Sequence, residues 1–347
     1  MNNIIRGAVI GYGGTLNMGK SHAFHMRDNG IQFVAACDID PVRSALAKED
    51  FPHIESYTRA QDMLAREDID LVSIVTPHHV HADIAREVIA AGKHCVIEKP
   101  MCIRADDAFE LVELAKAKGV MLSVYHNRRW DGWYMTVQDL IAKGILGDIY
   151  NVQMFFGEYG HPGSWWRADK TISGGVFYDW GAHYIDWLLT IVPGPIRSVR
   201  GFIHNRVWHD ISNEDEIESL VEFESGAVAH VQVSNIARAR RAPVVIQGTK
   251  GSVVVNDLFK NDVTLYTDVE GLKVESKIYT KSDLPLAYYG NIREHLLNGA
   301  PLAVRPEEAA RNIALIETTE RSALKREPLP LACDANIGVP AAGGMAG

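Results

Sequence analysis

Glu98-Lys99-Pro100 closes a short apolar run, and about eighty positions later Asp179 and His183 stand four residues apart between Gly174 and Asp186. A lysine at the C-terminal end of a buried strand sits in the crevice where open parallel sheets bind ligands. The bland alternative there is a surface lysine paired with Glu98. If 174–186 is helical, Asp179 and His183 share a face, with Asp186 one turn beyond. A carboxylate that orients an imidazole and stabilises its protonated form suits a general base that takes a proton from a hydroxyl. Two other readings stay open: Asp179 as a helix cap with His183 in the core, or the trio as metal ligands. No metal is expected, because a lysine can supply the positive charge.

A second constellation lies near the N-terminus. Gly11-Tyr12-Gly13-Gly14 follows a predicted strand and precedes a predicted helix. Glycines there give a tight turn, let the backbone approach a pyrophosphate, and place its charge at a helix N-terminus. A strict G-x-G-x-x-G fails at Leu16, so Gly19 is the third glycine only if Thr15, Leu16 and Asn17 are an insertion. Asp38 ends the second strand, where a carboxylate would accept hydrogen bonds from ribose hydroxyls and repel a 2′-phosphate, which favours NAD over NADP. The segment Gly14 to Ser21 also satisfies the P-loop pattern G-x-x-x-x-G-K-[ST], so a nucleoside triphosphate site remains the rival reading.

The elements that must position these residues follow from periodicity. Short branched runs at 5–10, 33–37, 71–75, 95–97 and 120–124 alternate with amphipathic stretches such as 82–91 and 105–117. Strand and helix in alternation predict a doubly wound parallel sheet covered on both faces. After about Trp130 the pattern changes. A helix over 134–143 is followed by strands at 149–158, 218–223, 227–233, 244–246 and 253–255 that alternate inward and outward, and by helices over 283–298 and 306–325. The fold class expected is therefore α/β, a Rossmann domain over 1–126 and an α+β domain with a large open, mainly antiparallel sheet over 127–333. An Ala- and Gly-rich mobile tail is expected over 334–347.

Composition narrows the classes of partner. A formal charge of −9 opposes nucleic-acid binding, and 347 residues with 47% hydrophobic content suit two ordinary globular domains. Neither a signal peptide nor a long apolar run appears, so no membrane partner is expected. Cys37, Cys95, Cys102 and Cys333 are scattered, which suits a reducing cytoplasm.

With these residues in hand, the chain resembles the glucose–fructose oxidoreductase / inositol dehydrogenase / MocA family from Ile5 to about Leu331. The resemblance is carried by the loop at Gly11, Thr76-Pro77 with His81, Ala91-Gly92-Lys93-His94 before Glu98-Lys99-Pro100, and the D-x-x-x-H of Asp179 and His183. Asn127-Arg128-Arg129-Trp130-Asp131 is similar to scyllo-inositol dehydrogenase-type members. The resemblance implies hydride transfer between nicotinamide and a hydroxyl-bearing carbon of a cyclitol, sugar or glycoside. It makes Lys99 the electrostatic partner of the reacting oxygen, His183 the acid–base group and Asp179 its partner. Cofactor contacts would come from Gly11, Tyr12, Gly13, Gly14, Met18, Asp38, Thr76, Pro77, His81, Glu98 and Lys99, with NAD as cofactor and NADP as the alternative. Substrate contacts would come from Arg128, Trp166, Arg167 and Tyr288. A homodimer or homotetramer is expected through the open sheet face. The same scaffold also carries glycosidases that keep and recycle NAD, and non-catalytic sensors; the presence of both Lys99 and His183 counts against a sensor.

Overall fold

A computed structural model describes residues 4–14 and 16–335. In chain order the first elements are β1 (Arg6–Ile10), α1 (Met18–Asp28), β2 (Gln32–Cys37), α2 (Pro41–Asp50), β3 (Glu55–Tyr57), α3 (Ala60–Leu64), β4 (Leu71–Ile74), α4 (His81–Ala90), β5 (His94–Ile97), α5 (Ala105–Lys118) and β6 (Leu122–Val124). The remainder are α6 (Gly132–Ala142), β7 (Ile149–Gly157), α7 (Lys170–Ser173), α8 (Trp180–Ile191), β8 (Ile196–His204), β9 (Glu216–Phe223), β10 (Val228–Ser234), β11 (Val244–Gly248), β12 (Gly251–Asp257), β13 (Asp262–Val269), β14 (Leu272–Ile278), α9 (Ala287–Asn298) and α10 (Pro306–Lys325). No helix among the described residues is long and apolar enough to cross a membrane.

The chain divides into two compact units. The first comprises the residues up to His126 together with Leu286–Ala310. Its six-stranded sheet has the order β3-β2-β1-β4-β5-β6 with every pairing parallel. That is the Rossmann order, and the strand order reverses at β1/β4, where such folds bind dinucleotides. All four residues of β4 are buried, as strands covered on both faces require. Asp40 caps α2 by accepting the Val42 N–H, with Pro41 at the first helical position, so the helix starts directly after the second strand.

The sequence boundary assigns all of 127–333 to the second domain, but α9 packs with the first unit. The cause is polar as well as apolar. The buried Tyr288 hydroxyl donates to Ser123 Oγ at 2.9 Å, and Ser123 donates to Val304 O at 2.9 Å. The helix also begins at Ala287, four residues after the start expected from the pattern.

The second unit comprises Asn127–Pro285 and the chain from Arg311 on. Its eight strands run β14-β13-β12-β11-β7-β10-β9-β8, antiparallel throughout except for the β10–β7 pair. On β9, Ile217, Ser219, Val221 and Phe223 are buried while Glu216, Glu218, Leu220 and Glu222 are not, the alternation of a sheet covered on one face. α8 packs on the covered face against β10 and β7. Fully buried Trp187, Leu188 and Tyr184 belong to it, and each such side chain contributes roughly 1.5–3 kcal/mol. Most of the expected tail, from 336 on, lies outside the described residues. Its first residue, Asp334, is fixed: both its carboxylate oxygens accept from Arg311, at 2.6 and 2.8 Å, and one also accepts from Ile196 N–H.

Candidate active site

In the first unit β1 runs into Gly11, Gly13 and Gly14, all at positive φ (+96°, +80° and +77°), a path closed to residues with a Cβ. A Cβ on Gly19 would lie 2.4 Å from Gly11 O, so Gly19 is the glycine that lets α1 close on β1. The irregular spacing is therefore an insertion ahead of Gly19. Asn17, the residue before α1, accepts from Gly13 N–H at 2.9 Å and from Lys20 N–H at 3.3 Å, which caps the helix.

The P-loop reading does not hold. Lys20 Nζ is 2.6 Å from Asp50 at the end of α2, so the lysine pairs with a carboxylate, and the sheet order is that of a dinucleotide fold. Tyr12 is 1% exposed and its hydroxyl donates to Asp50 at 2.8 Å, which makes its side chain a core element, leaving the backbone to line the loop. Burial and the Asp50 carboxylate push that hydroxyl far up. Met18 opens α1 and is half-buried.

Asp38 is at the end of β2 as expected and braces the loop. One carboxylate oxygen accepts from Tyr12 N–H and the other from Asp40 N–H, both at 2.9 Å. The Arg43 side chain lies against Gly13. After β4, the Thr76 hydroxyl is buried and makes no hydrogen bond among the described residues, while its methyl group faces Gly11. A buried hydroxyl without a partner beside a glycine cradle fits a ligand that supplies the missing bond. Pro77 is followed by a 3-10 turn at His78–Val80 that leads into His81. The His81 ring nitrogens are each 2.8 Å from a carbonyl, Thr76 O and Pro100 O, so one side chain ties the loop after β4 to the loop after β5. Burial lowers the His81 pKa, against the pull of those carbonyls and of Glu98.

At the end of β5, Glu98 accepts from Lys99 N–H at 2.9 Å with one oxygen, and its other oxygen lies 3.1 Å from His22 Nε2. The Lys99–Pro100 bond is cis. Burial would push the Glu98 carboxyl up, but His22, Lys99 and His81 more than offset it and hold it below the usual range. His22 was not singled out by sequence reasoning. A signal existed: Gly19, His22, Ala23 and Met26 form the buried stripe of α1, and His22 is its one ionisable member.

In the second unit Asp179 is the residue before α8, at φ −88° and ψ −90°, and makes no side-chain capping bond. It is thus outside the helix that carries His183, and the simple i, i+4 geometry does not apply. His183 is 5% exposed, stacked on Trp187 (6.2 Å, 26°) and edge-on to Trp180 (5.6 Å). Asp186 is held by Arg129 through 2.8 and 2.6 Å bonds, so it does not complete a metal trio. The turn before α8 is braced by Glu214, which accepts from Val176 N–H at 2.7 Å and from Lys170 Nζ at 2.8 Å.

Arg167 Nε lies 3.9 Å from the Asp179 carboxylate, and its guanidinium sits over Trp165 (4.9 Å) and Trp166 (5.0 Å). Arg128 lies over Trp180 (4.7 Å) and Phe259 (5.4 Å) and pairs with Asp131 at 3.0 Å. The structure therefore places Arg128 and Arg167 against the two ends of the Asp179-Trp180 step. Tyr288 is different: it is 2% exposed in the core of the first unit, with its hydroxyl on Ser123, so it is a packing residue rather than a substrate contact.

A glycine cradle at the switch point of a Rossmann sheet and a lysine at the end of β5 are the marks of a dinucleotide enzyme. Residues 5–126 match the oxidoreductase family model described as an NAD-binding Rossmann fold, and residues 134–254 match the C-terminal domain model of the same family, GFO/IDH/MocA. Together they cover well over half of the chain. This chain belongs to the Gfo/Idh/MocA oxidoreductase family. It is 28% identical to the uncharacterised oxidoreductase YdgJ of Escherichia coli over 96% of this chain and all of that one. It is 29% identical to the scyllo-inositol 2-dehydrogenase (NADP(+)) IolW of Bacillus subtilis over 83% of this chain and 86% of that one. Among solved structures, the Bacillus subtilis protein yvaA superposes with a TM-score of 0.85 at 26% identity, covering 94% of this chain and 98% of that one. A levoglucosan dehydrogenase in complex with NADH and levoglucosan gives a TM-score of 0.84 over 95% of this chain and all of that one, at 21% identity, a likeness of fold. The first unit is thus an NAD-binding Rossmann unit, and the chain is a nicotinamide-dependent oxidoreductase.

Proposed function

We propose that the chain catalyses reversible hydride transfer between nicotinamide and one hydroxyl-bearing carbon of a cyclitol, sugar or glycoside. The observation that carries this reading is Lys99, set beside the part-buried Glu98 carboxylate at the C-terminal end of β5 in an NAD-binding unit. A relative's name, scyllo-inositol 2-dehydrogenase, supports the substrate class. When bound, the nicotinamide supplies the hydride acceptor or donor. Gly11, Gly13, Gly14 and Asp38 hold the dinucleotide, with Tyr12 and Met18 lining the loop, and Thr76, Pro77, His81 and Glu98 shape the adjoining loops. The Asp38 carboxylate favours NAD over NADP.

The Lys99 ammonium stabilises negative charge on the reacting oxygen. His183 takes the hydroxyl proton in oxidation and returns it in reduction, and Asp179 supports the charged ring. Proton and hydride both leave the alcohol, so the product is the ketone or lactone. Arg128, Arg167 and Trp166 offer guanidinium donors and an aromatic face to a ring polyol. The open sheet face, with Phe202, Leu220, Val228 and Tyr266 each about 40% exposed, is assigned to a second copy of the chain, to be read by sedimentation. That none of the four cysteines is in a disulfide among the described residues supports a reducing compartment, the cytoplasm.

The test is a panel of inositols, aldoses and glycosides with NAD or NADP, followed by absorbance of the reduced nicotinamide. Accumulation of free NADH with one ring polyol is expected; glycoside cleavage without it would point instead to a recycled cofactor. Lys99→Ala and His183→Ala should each lower turnover by about 10²–10⁴ with NAD affinity within about twofold. Full rate in either variant would remove that residue from the mechanism.

A further inference from the structure

We propose that His22, Tyr289 and Ser73 form a buried relay that positions the Glu98–Lys99 pair from behind, making His22 a positioning residue for the reaction. This rests on the reading of Lys99 as the electrostatic group. All three relay side chains are fully buried. His22 Nε2 lies 3.1 Å from Glu98 Oε1, His22 Nδ1 lies 2.6 Å from the Tyr289 hydroxyl, and that hydroxyl lies 2.8 Å from Ser73 Oγ. The relay thus joins four elements: β4, α9, α1 and the end of β5. The Tyr125 ring, 4.2 Å from the His22 ring, covers it, and the Tyr125 hydroxyl is held by His25 at 2.8 Å.

The direction of the bonds follows from donor chemistry. A carboxylate only accepts, so His22 Nε2 carries a hydrogen. With that single ring hydrogen, Nδ1 accepts from the Tyr289 O–H, and Tyr289 accepts from Ser73. If the ring holds a second hydrogen, Nδ1–H donates to Tyr289, whose own O–H turns to Ser73. The relay can reverse beyond the ring, but the bond to Glu98 is the same in both states. One Glu98 oxygen is thereby fixed by His22, and the other is free to fix the Lys99 backbone through its N–H.

A buried carboxylate that loses a donor becomes easier to protonate. The titratable groups that face Glu98 are His22 on α1, His81 on α4, Lys99 beside it, Tyr125 after β6, and Tyr288 and Tyr289 on α9. Burial raises both α9 tyrosines far above their ordinary value, so they stay protonated donors across the working range. His22, hydrogen-bonded to the carboxylate, is the foremost of the groups that keep it an anion, with Lys99 and His81 behind it.

The experiment follows Glu98 itself. Infrared pH titration of the full chain reads the carbonyl band of a protonated buried carboxyl, assigned by its loss in Glu98→Gln. In His22→Phe the half-protonation point should rise by about one pH unit or more, in Tyr289→Phe by less, and in His22→Gln, whose amide N–H still reaches Glu98, it should return toward wild type. The acid limb of turnover with scyllo-inositol and NAD should move in the same order, with thermal melts confirming that each variant folds. An unmoved Glu98 titration in both His22→Phe and Tyr289→Phe overturns the relay, even where Lys99→Ala abolishes turnover. A shifted titration with Lys99→Ala still at full rate leaves the relay standing and removes the catalytic reading of Lys99.

Discussion

In the first unit one buried polar system is a set of hydroxyls and an imidazole joined in series, from Ser73 through Tyr289 and His22 to the carboxylate of Glu98. In the second unit two buried systems are pairs of full charges: Arg129 with Asp186, and Arg311 with Asp334, none of the four more than 8% exposed. Each pair sets one ion against its opposite charge, and the Arg311–Asp334 pair also holds backbone groups, Gly194 O and Ile196 N–H. A chain of hydroxyls can change the direction of its hydrogen bonds at little cost, while its carboxylate end stays fixed. One interior locks elements in place, and the other holds a charge where a ligand meets the strand ends.

The largest effect that tests this contrast is on a charged pair. Asp186→Ala leaves the Arg129 guanidinium buried with its carboxylate gone, and urea unfolding should show a loss of about 3–5 kcal/mol. Arg129→Met with Asp186→Leu should recover most of it, because the desolvation cost leaves with the charges. Asp38→Ala should weaken NAD by about tenfold, roughly 1.4 kcal/mol, and NADP by less, in parallel fluorescence titrations. Equal losses would take the ribose role away from Asp38. Ser73→Ala, which removes one end of the relay, should cost only about 1 kcal/mol by the same unfolding measurement. Arg197→Ala, which breaks the exposed pairs with Glu222 and Glu224 on the second sheet, should leave the urea unfolding midpoint essentially where it is, because solvent screens those charges. If Ser73→Ala proved as damaging as Asp186→Ala, the distinction between the two interiors would fail.

Much of this could be read from the chain. The parallel strands announce themselves because burial on both faces makes them continuous apolar runs. β3 does not, since Glu55-Ser56-Tyr57 is three residues long and half polar. β8 also escapes, because its register shifts between Ile196 and Ser198 and breaks the alternation. The places of Lys99, Asp38 and the glycines at strand ends were legible through local pattern, the kind of information a sequence carries within one turn or strand end. Long-range partners were not. Arg129 and Asp186 are 57 residues apart, and nothing in either neighbourhood names the other. Tyr288 looked like a substrate contact because an aromatic in a pocket-bordering segment and an aromatic in a core have the same local signature. Its burial on Ser123 separates them.

The return of α9 to the first unit bears on how this protein is made. Ser123 must wait 165 residues for the Tyr288 hydroxyl, and Ser73 waits 216 for Tyr289. At about 5–20 residues per second, synthesis leaves the Rossmann sheet on the ribosome for about 10–40 s before the helix that completes its interior emerges. During that interval the nascent unit has all six strands but lacks the tyrosines that cover His22, Ser73 and Ser123. A fragment ended at residue 126 would stay in that unfinished condition permanently, and one meant to bind the dinucleotide alone has to carry residues 286–310 as well.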